Sequence, residues 1–368
     1  MCKQLNQLAD IIRSEIKASG PLSFRRFMEL ALYHPEHGYY EKQVLNQTGR
    51  QGDFYTSVSV GPVFGELLAY FIASQIRELS RPLTVVEAGA HNGQLADDIL
   101  RALQNLAPEL LAHLNYQILD PSPVRRAAQA ERLEAFSGKV TWANAIEDLP
   151  AQSIHGVILS NELLDAFPVH RVGWSAPDQA WFEWLVDWRE EAPYWYRTEP
   201  KVMLTALRAH LPTLNAELSG LLPDGFTTEI CPAATQWWLQ AASKLKVGCL
   251  LTLDYGLEGL DFLSPERFQG TLRAYQNHRL VDNPLANPGE QDLTAHVNFT
   301  AIRDAGEKAG LKTIHDEAQA RFLTRILANE SRSSRPDFNW SPAQIRQFQT
   351  LTHPEHLGRS FRVLGQQR

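Results

Sequence analysis

Residues 83–162 alternate short apolar runs with amphipathic stretches, and this alternation limits the fold more than any other feature of the chain. The predicted strands are 83–89, 116–120, 139–144, 156–162 and 248–256, and the predicted helices are 94–106, 123–136 and 233–246. Strands that alternate with helices are typical of a parallel, doubly wound α/β sheet with right-handed crossovers. The ligand of such a sheet binds beyond the carboxyl ends of its strands.

The remaining segments give the predicted division of the chain. Residues 1–80 form an N-terminal helical and loop segment, with two helices broken at Gly20-Pro21 and a further helix over 63–79. Residues 81–170 and 231–330 form the core, in which a helix ended by Gly310 precedes another strand. The tryptophan-rich residues 171–230 form an inserted cap of β-hairpins, with a helix near 201–218. Residues 331–368 form a C-terminal tail helix region.

Composition excludes several classes of protein. The net charge of -7 in 368 residues provides no basic field for a nucleic acid. The first residues lack the apolar core of a signal peptide, and no apolar run has the roughly 18 residues of a membrane helix. Cys2, Cys231 and Cys249 are too scattered for a zinc site or a disulfide framework. These features predict a cytoplasmic globular protein without membrane insertion; they do not fix the oligomeric state, and a dimer is compatible with them.

The first core strand ends in "EAGAHNG", which places Glu87 before two glycines, Gly89 and Gly93. Glycine at such a turn permits a positive φ and the close approach of a ligand, and the following helix presents free amides to it. The dinucleotide fingerprint requires small residues where this chain has His91 and Gln94, which disfavours a nicotinamide oxidoreductase. The alternative is a tight turn that binds nothing.

The nearer match is the glycine-rich turn of class I S-adenosylmethionine methyltransferases, with His91 at its central glycine. Glu87 is then expected near the methionine ammonium. Asp120 ends the next strand, where a carboxylate can accept both ribose hydroxyls; alternatively, it caps the helix that begins near Pro121. Asn144, with the neighbouring alanine, is expected to flank an adenine.

The fourth strand continues into "SNELLDAFPVHR", which places Asn161, Glu162 and Asp165 where a doubly wound sheet holds its reacting groups. Two carboxylates in this position can clamp a planar guanidinium through charge-assisted hydrogen bonds. We therefore predict that they hold an arginine side chain and that one of them takes its proton. Alternatively, Asn161 or Asp165 caps a short helix and Glu162 is solvated.

Several separated motifs together resemble the MidA-like family of S-adenosylmethionine-dependent methyltransferases. They are "GPLSFRRFMELALYHPEHGYY", "GDFYTS", "FGELLA", "VVEAGAHNGQLADDILR", "DPSPVRRAAQAERL", "SNELLDAFPVHR", "GCLLTLDYG" and "GTLRAYQNHRLVDNPLANPGEQDLTAHVNFTAI". The resemblance implies the class I methyltransferase fold with a helical and loop cap, and S-adenosylmethionine as cofactor. The mitochondrial branch methylates a protein arginine as an assembly factor for respiratory complex I, which implies a protein substrate such as a respiratory-complex subunit. A non-catalytic assembly scaffold on the same fold is the alternative.

The resemblance also assigns residues one by one. Asp53, Phe54 and Thr56 fall on the N-terminal loop that closes over the cofactor in this family. Two positions depart from the family pattern: His91 replaces a glycine of the cofactor turn, and Val58-Ser59 replaces a Pro-Glu pair. Both departures flank the cofactor site and bear on cofactor affinity.

The block that ends "EQDLTAHVNFT" contains His278, Asp292 and His296, whose spacing matches no metal motif. We predict no metal and interpret the block as a polar loop whose side chains cap one another. In the alternative, Asp292 or His296 lines the substrate site.

Overall fold

The computed structural model describes residues 7–43, 56–200, 205–276, 279–330 and 340–368. The chain forms two compact units. The first unit contains Met1–Gln47, Asp165–Thr235 and Leu257–Ala301, and the second contains Thr48–Leu164, Gln236–Gly256 and Ile302–Arg368.

The elements are numbered along the chain. The strands are β1 Leu22–Ser23, β2 Leu83–Ala88, β3 Leu114–Leu119, β4 Val140–Ala143, β5 Ile154–Asn161, β6 His170–Ser175, β7 Ala180–Arg189, β8 Ala192–Arg197, β9 Thr227–Ile230, β10 Leu245–Leu257, β11 Arg273–Gln276, β12 Arg279–Val281, β13 Asp292–Thr294, β14 Val297–Asn298, β15 Lys312–Ala318 and β16 Phe361–Gln367. The helices are α1 Gln7–Ser19, α2 Phe24–Tyr33, α3 Tyr39–Gln43, α4 Val63–Ile76, α5 Gln94–Leu106, α6 Pro108–Leu111, α7 Pro123–Arg132, α8 Thr205–Arg208, α9 Ala216–Leu221, α10 Pro232–Lys244, α11 Phe299–Lys308, α12 Gln319–Glu330, α13 Pro342–Thr352 and α14 Leu357–Ser360. No helix among those described is long and apolar enough to cross a membrane.

The second unit is built on one sheet in which seven strands lie in the order β15-β16-β10-β5-β2-β3-β4. The five strands from β10 to β4 run parallel, and β16 runs antiparallel to both of its neighbours. β2 and β5 are nearly continuous buried runs, as expected for strands that are covered on both faces. The α/β prediction is confirmed, and each predicted strand of the core is present.

The last strand, β16, was not expected from the sequence. The predicted tail helix region does contain α13, but the chain then returns to the sheet and pairs Phe361 with Tyr255 and Gln367 with Cys249. The segment is short, at seven residues, and only its pairing between β10 and β15 distinguishes it from a loop. Local periodicity cannot reveal such a partner.

The first unit contains two small sheets. One joins β6, β7, β8, β9 and β1 in antiparallel pairs, and the other has the order β12-β11-β13. The predicted β-hairpins over the tryptophan-rich stretch are therefore confirmed. The single helix predicted near 201–218 is wrong, because Pro212 interrupts it and Asn215 caps a separate helix, α9, by accepting the Leu218 amide at 2.8 Å.

The two compact units group the chain differently from the predicted segments, and the predicted division stays a prediction. The N-terminal segment is shared, since α1 to α3 belong to the first unit and α4 to the second. Residues 257–301, which were assigned to the core, belong to the first unit together with the tryptophan-rich strands.

Candidate active site

The turn between β2 and α5 has the backbone that its glycines predict. Gly89 has a φ of 78°, and Gly93, which precedes α5, has a φ of 80°. Gly89 is exposed. A side chain at this position would be crowded, because its Cβ would lie 2.9 Å from Leu163 Cδ1. Gly93 has no side chain to cap α5, and Asn92 Oδ1 accepts the first helical amide, that of Gln94, at 3.1 Å. The turn therefore presents bare backbone and a helix N-terminus to a ligand.

His91 keeps the shape of this turn although it replaces a glycine. Its φ of 47° lies in the left-handed region, which costs a residue with a Cβ about 1–3 kcal/mol. The Gln129 side chain donates a hydrogen bond to the His91 carbonyl at 2.8 Å and so holds this conformation. Burial and the nearby Arg125 guanidinium lower the pKa of the His91 ring, which is therefore neutral at physiological pH.

Glu87 is a buried acid at the end of β2. Its Oε2 accepts a hydrogen bond from the Tyr116 hydroxyl at 2.6 Å. Burial raises the pKa of Glu87 to about 7, and the neighbouring Asp98 adds to this effect. An ammonium group that binds beside such a carboxyl lowers its pKa and so favours the charged carboxylate.

Asp120 follows β3 and is 2% exposed. Its carboxylate accepts hydrogen bonds from the Ser122 amide at 3.0 Å, from Arg125 Nε at 3.0 Å and from Gln129 Nε2 at 2.8 Å. The suggestion that Asp120 caps the next helix is wrong, because Ser122 is the N-cap and accepts the Arg125 amide through its hydroxyl. The ribose role of Asp120 stays a prediction. In this structure the carboxylate already accepts hydrogen bonds from protein groups.

Gln129 connects three parts of this region and was missed in the sequence. Its side chain donates to the His91 carbonyl and to Asp120, and it accepts from Trp142 Nε1 at 2.8 Å. It is fully buried on α7. A glutamine on the inner face of an otherwise polar helix was the available signal, but periodicity alone assigns it no partner.

Asn144 lies beyond β4 on the exposed surface. Arg126 donates a hydrogen bond to its Oδ1, and the Asn144 and Ala145 amides both donate to Asp148. Its expected place beside an adenine stays a prediction.

The segment after β5 brings Asn161 and Glu162 together. Glu162 has a φ of 50°, and its amide donates to the Leu253 carbonyl at 3.0 Å. Its Oε1 accepts from Asn161 Nδ2 at 3.1 Å and from the Ser57 amide at 3.4 Å. Asn161 Oδ1 is buried and has no hydrogen-bond partner within the described residues. An acceptor in that condition costs about 1–3 kcal/mol until a donor reaches it.

Asp254, in the last part of β10, holds this segment in place. It is fully buried, and its Oδ2 accepts the amides of Leu163 at 3.2 Å and Leu164 at 2.8 Å. Sequence reasoning assigned Asp254 no role. The signal was an acid at the end of a buried strand, the same signal that drew attention to Asp120.

The N-terminal loop is described from Thr56 onward, so Asp53 and Phe54 lie outside the described residues. The Ser59 hydroxyl accepts the Thr56 amide at 2.9 Å and donates to the Thr56 carbonyl at 2.8 Å. Ser59, one of the two departures from the family pattern, therefore closes this turn. The adjacent Ser57 is fully buried and donates through its hydroxyl to Gln319 Oε1 at 3.1 Å.

Asp165 belongs to the first unit, where it is buried and its carbonyl accepts the Ala295 amide at 2.9 Å. Tyr40 donates to Asp292 Oδ1 at 2.9 Å. Burial, with the charges of Asp292 and Asp165, raises the pKa of the Tyr40 hydroxyl well above its usual range. The catalytic role of Asp165 stays a prediction.

His296, in the same block, is held through its backbone. The His296 amide donates to Thr271 Oγ1 at 3.1 Å, and burial lowers the pKa of the His296 ring to about 4. His278 lies outside the described residues. Across the ranges that the structure describes, no group of three or more His, Cys, Asp or Glu side chains is placed to hold a metal ion.

The groups of the second unit fit the methionine end of S-adenosylmethionine. The exposed backbone of Gly89 leaves room for it, the N-terminus of α5 suits its carboxylate, and Glu87 suits its ammonium. The fit at the ribose depends on Asp120, whose acceptor positions are engaged by side chains of α7.

Comparison with known proteins gives the same cofactor. Residues 67–315 match the model of a family described as S-adenosyl-L-methionine-dependent methyltransferases. The crystal structure of a Burkholderia thailandensis protein bound to S-adenosyl-homocysteine is 31% identical, with a TM-score of 0.82 over 98% of this chain and 92% of that chain. This neighbour shares the class I methyltransferase fold, and S-adenosylmethionine is the cofactor of the family.

Mitochondrial proteins from animals are similar to this chain over nearly its whole length. The mitochondrial protein arginine methyltransferase NDUFAF7 homologue of Drosophila melanogaster is 29% identical over 97% of this chain and 84% of its own. The human mitochondrial protein arginine methyltransferase NDUFAF7 is 25% identical over 94% of this chain and 80% of its own. The chain belongs to the family of S-adenosyl-L-methionine-dependent methyltransferases.

Proposed function

We propose that this methyltransferase acts on a guanidino nitrogen of an arginine side chain in a protein substrate. The names of the curated relatives support this choice, since each is called a protein arginine methyltransferase. The residues after β5 support it independently, because their chemistry suits a planar cation with several N–H donors.

The observation that carries the proposal is the pair formed by Asn161 and Glu162. Asn161 uses its Nδ2 to orient the Glu162 carboxylate and keeps a buried Oδ1 that accepts from no described residue. A guanidinium supplies donors for both side chains at once, in a fork that a single ammonium does not provide. The Glu162 backbone is left-handed, and the hydrogen bond from its amide to the Leu253 carbonyl holds it in this conformation.

The residues of the chain then supply position and charge. The bound cofactor supplies an electrophilic methyl group on a sulfonium. Glu162 accepts N–H bonds from the guanidinium and fixes the orientation of the attacking nitrogen, while Asn161 Oδ1 accepts a further N–H. The N–C bond would replace the methyl–sulfur bond, whose electron pair stays on the sulfur of the departing thioether. The attacking nitrogen must then lose one proton, and the Glu162 carboxylate is the group placed to accept it. Fixed alignment of this kind is worth about 7–11 kcal/mol of the barrier.

Methyl labelling of cellular proteins tests the proposal. The purified protein is incubated with S-adenosylmethionine carrying a labelled methyl group and with proteins from its native cell, and labelled peptides are analysed by mass spectrometry. We expect label on arginine nitrogen, absent when Glu162→Gln replaces the wild type. Label on lysine or on a carboxylate would contradict arginine as the acceptor. Cofactor binding without any labelled protein would instead favour a non-catalytic assembly scaffold.

A further inference from the structure

The Arg125 guanidinium forms an ion pair with Asp120, the carboxylate that is predicted to bind the ribose. Arg125 Nε lies 3.0 Å from each oxygen of Asp120, and its Nη2 lies 2.9 Å from Oδ1. Both side chains are nearly buried, with about 11% of the arginine and 3% of the aspartate side chain exposed. Such a pair resists separation, because neither charge is well solvated where it stands.

The acceptor capacity of Asp120 is fully used. A carboxylate offers about four lone-pair positions. The donors on this one are the Ser122 amide, two N–H groups of Arg125 and the amide of Gln129. Two ribose hydroxyls therefore find no place on Asp120 unless one of these donors leaves.

Arg125 is the donor that can leave at the lowest cost. The Ser122 amide belongs to the backbone that starts α7. Gln129 is fully buried and is also held by His91 and Trp142. Arg125 lies in the first turn of α7, where a long side chain can turn toward water by rotation about its own bonds.

We propose that Arg125 competes with the ribose of the cofactor for Asp120 and so sets the affinity for S-adenosylmethionine. The inference rests on the predicted ribose role of Asp120 and does not depend on arginine as the methyl acceptor. When only a fraction of the molecules has a site that can bind, the apparent Kd equals the intrinsic Kd divided by that fraction. Removal of Arg125 therefore tightens cofactor binding, although it removes an ion pair from the folded protein.

Titration calorimetry with S-adenosyl-homocysteine tests the competition. In Arg125→Met we expect the Kd to fall by about fivefold or more, corresponding to about 1 kcal/mol. In Arg125→Lys, which retains a single charged donor group, we expect an intermediate value and secure folding. Arg362→Met is the matched control, because it removes another partly buried Arg–Asp pair of the same unit, with Asp316, and should leave the Kd within twofold.

The double variant separates this inference from the assignment of the site. Asp120→Asn should weaken binding, and Arg125→Met should then have no further effect, because the carboxylate for which it competes is gone. An unchanged or weaker affinity in both Arg125 variants would overturn the competition while leaving the ribose role intact. Unchanged affinity in Asp120→Asn would remove the ribose role itself. Thermal midpoints of all variants establish that each is folded.

Discussion

Leu163 lies beside Gly89, so that a Cβ added to Gly89 would lie 2.9 Å from Leu163 Cδ1. Leu163 therefore places the segment after β5 beside the turn after β2. That segment is itself fixed by Asp254, which accepts the Leu163 and Leu164 amides. The cofactor turn and the residues proposed to bind the substrate thus form one packed arrangement within the second unit.

A side chain at position 89 should abolish cofactor binding. Gly89→Val introduces a β-branched residue at a positive φ and against Leu163, and we expect affinity for S-adenosyl-homocysteine to fall at least about 10-fold by calorimetry. Gly310→Val is the control, since Gly310 has a φ of 84° but no atom within 4 Å of an added Cβ. It should cost comparable strain and leave affinity unchanged. Equal affinity in both variants would place the cofactor elsewhere.

Glu162→Gln should separate binding from turnover. The amide keeps the shape of the side chain but cannot take a proton, so we expect methyl transfer to fall by at least about 100-fold with cofactor affinity unchanged. Glu190→Gln is a matched control, because Glu190 is also a glutamate with a left-handed backbone, at a φ of 53°. Full turnover in Glu162→Gln would exclude Glu162 from the chemistry.

The buried acid Glu87 should make stability depend on pH. The pKa of Glu87 is about 7 in the folded protein, above the ordinary value of 4.5. The free energy of unfolding is therefore highest below pH 4.5, where this carboxyl is protonated in both states, and it falls as pH rises toward 7. Glu87→Gln should therefore stabilise the cofactor-free protein by about 3 kcal/mol at pH 8 and change little at pH 4. Urea unfolding at both pH values measures this difference, and Glu131→Gln on the exposed face of α7 is the control. A gain that is equal at pH 4 and pH 8 would contradict the raised pKa.

Gln319 should act on turnover through Ser57. It accepts the Ser57 hydroxyl and donates to the Leu351 carbonyl at 3.2 Å, and the Ser57 amide in turn donates to Glu162. We expect Gln319→Ala to lower kcat by about 10-fold with little change in cofactor affinity, since small displacements of a reacting group are costly.

The control for this positioning role is another fully buried glutamine of the same unit. Gln366 accepts from Trp238 and donates to the Arg303 carbonyl. Gln366→Ala should destabilise the protein by a comparable amount, about 1–3 kcal/mol, yet leave kcat unchanged. An equal loss of kcat in both variants would show that Gln319 stabilises the fold and does not position Glu162.

The sequence predicted the parallel core well, because its strands are long apolar runs that end in glycine or acid. The glycine turn at Gly89 and Gly93 and the hairpins of the tryptophan-rich stretch followed from local chemistry alone. β16 did not, since a short strand is recognised only by its neighbours. The break near Pro212 is visible in the sequence, because proline interrupts a helix.

The candidate site was less predictable than the fold. Asn161 and Glu162 were found because they lie where a strand ends, but the supports of the site, Gln129 and Asp254, act through contacts that are distant in sequence. The Arg125 contact with Asp120 spans only five residues, yet the sequence could not show which donors the carboxylate would accept. Burial and geometry decide such choices, and neither can be read from periodicity.

A crystal structure of the protein with S-adenosyl-homocysteine tests the central claim most directly. The account predicts the methionine carboxylate at the start of α5, its ammonium beside Glu87, and the ribose hydroxyls on Asp120 with Arg125 displaced. A ligand bound away from the Gly89–Gly93 turn, or a ribose that makes no contact with Asp120, would contradict it.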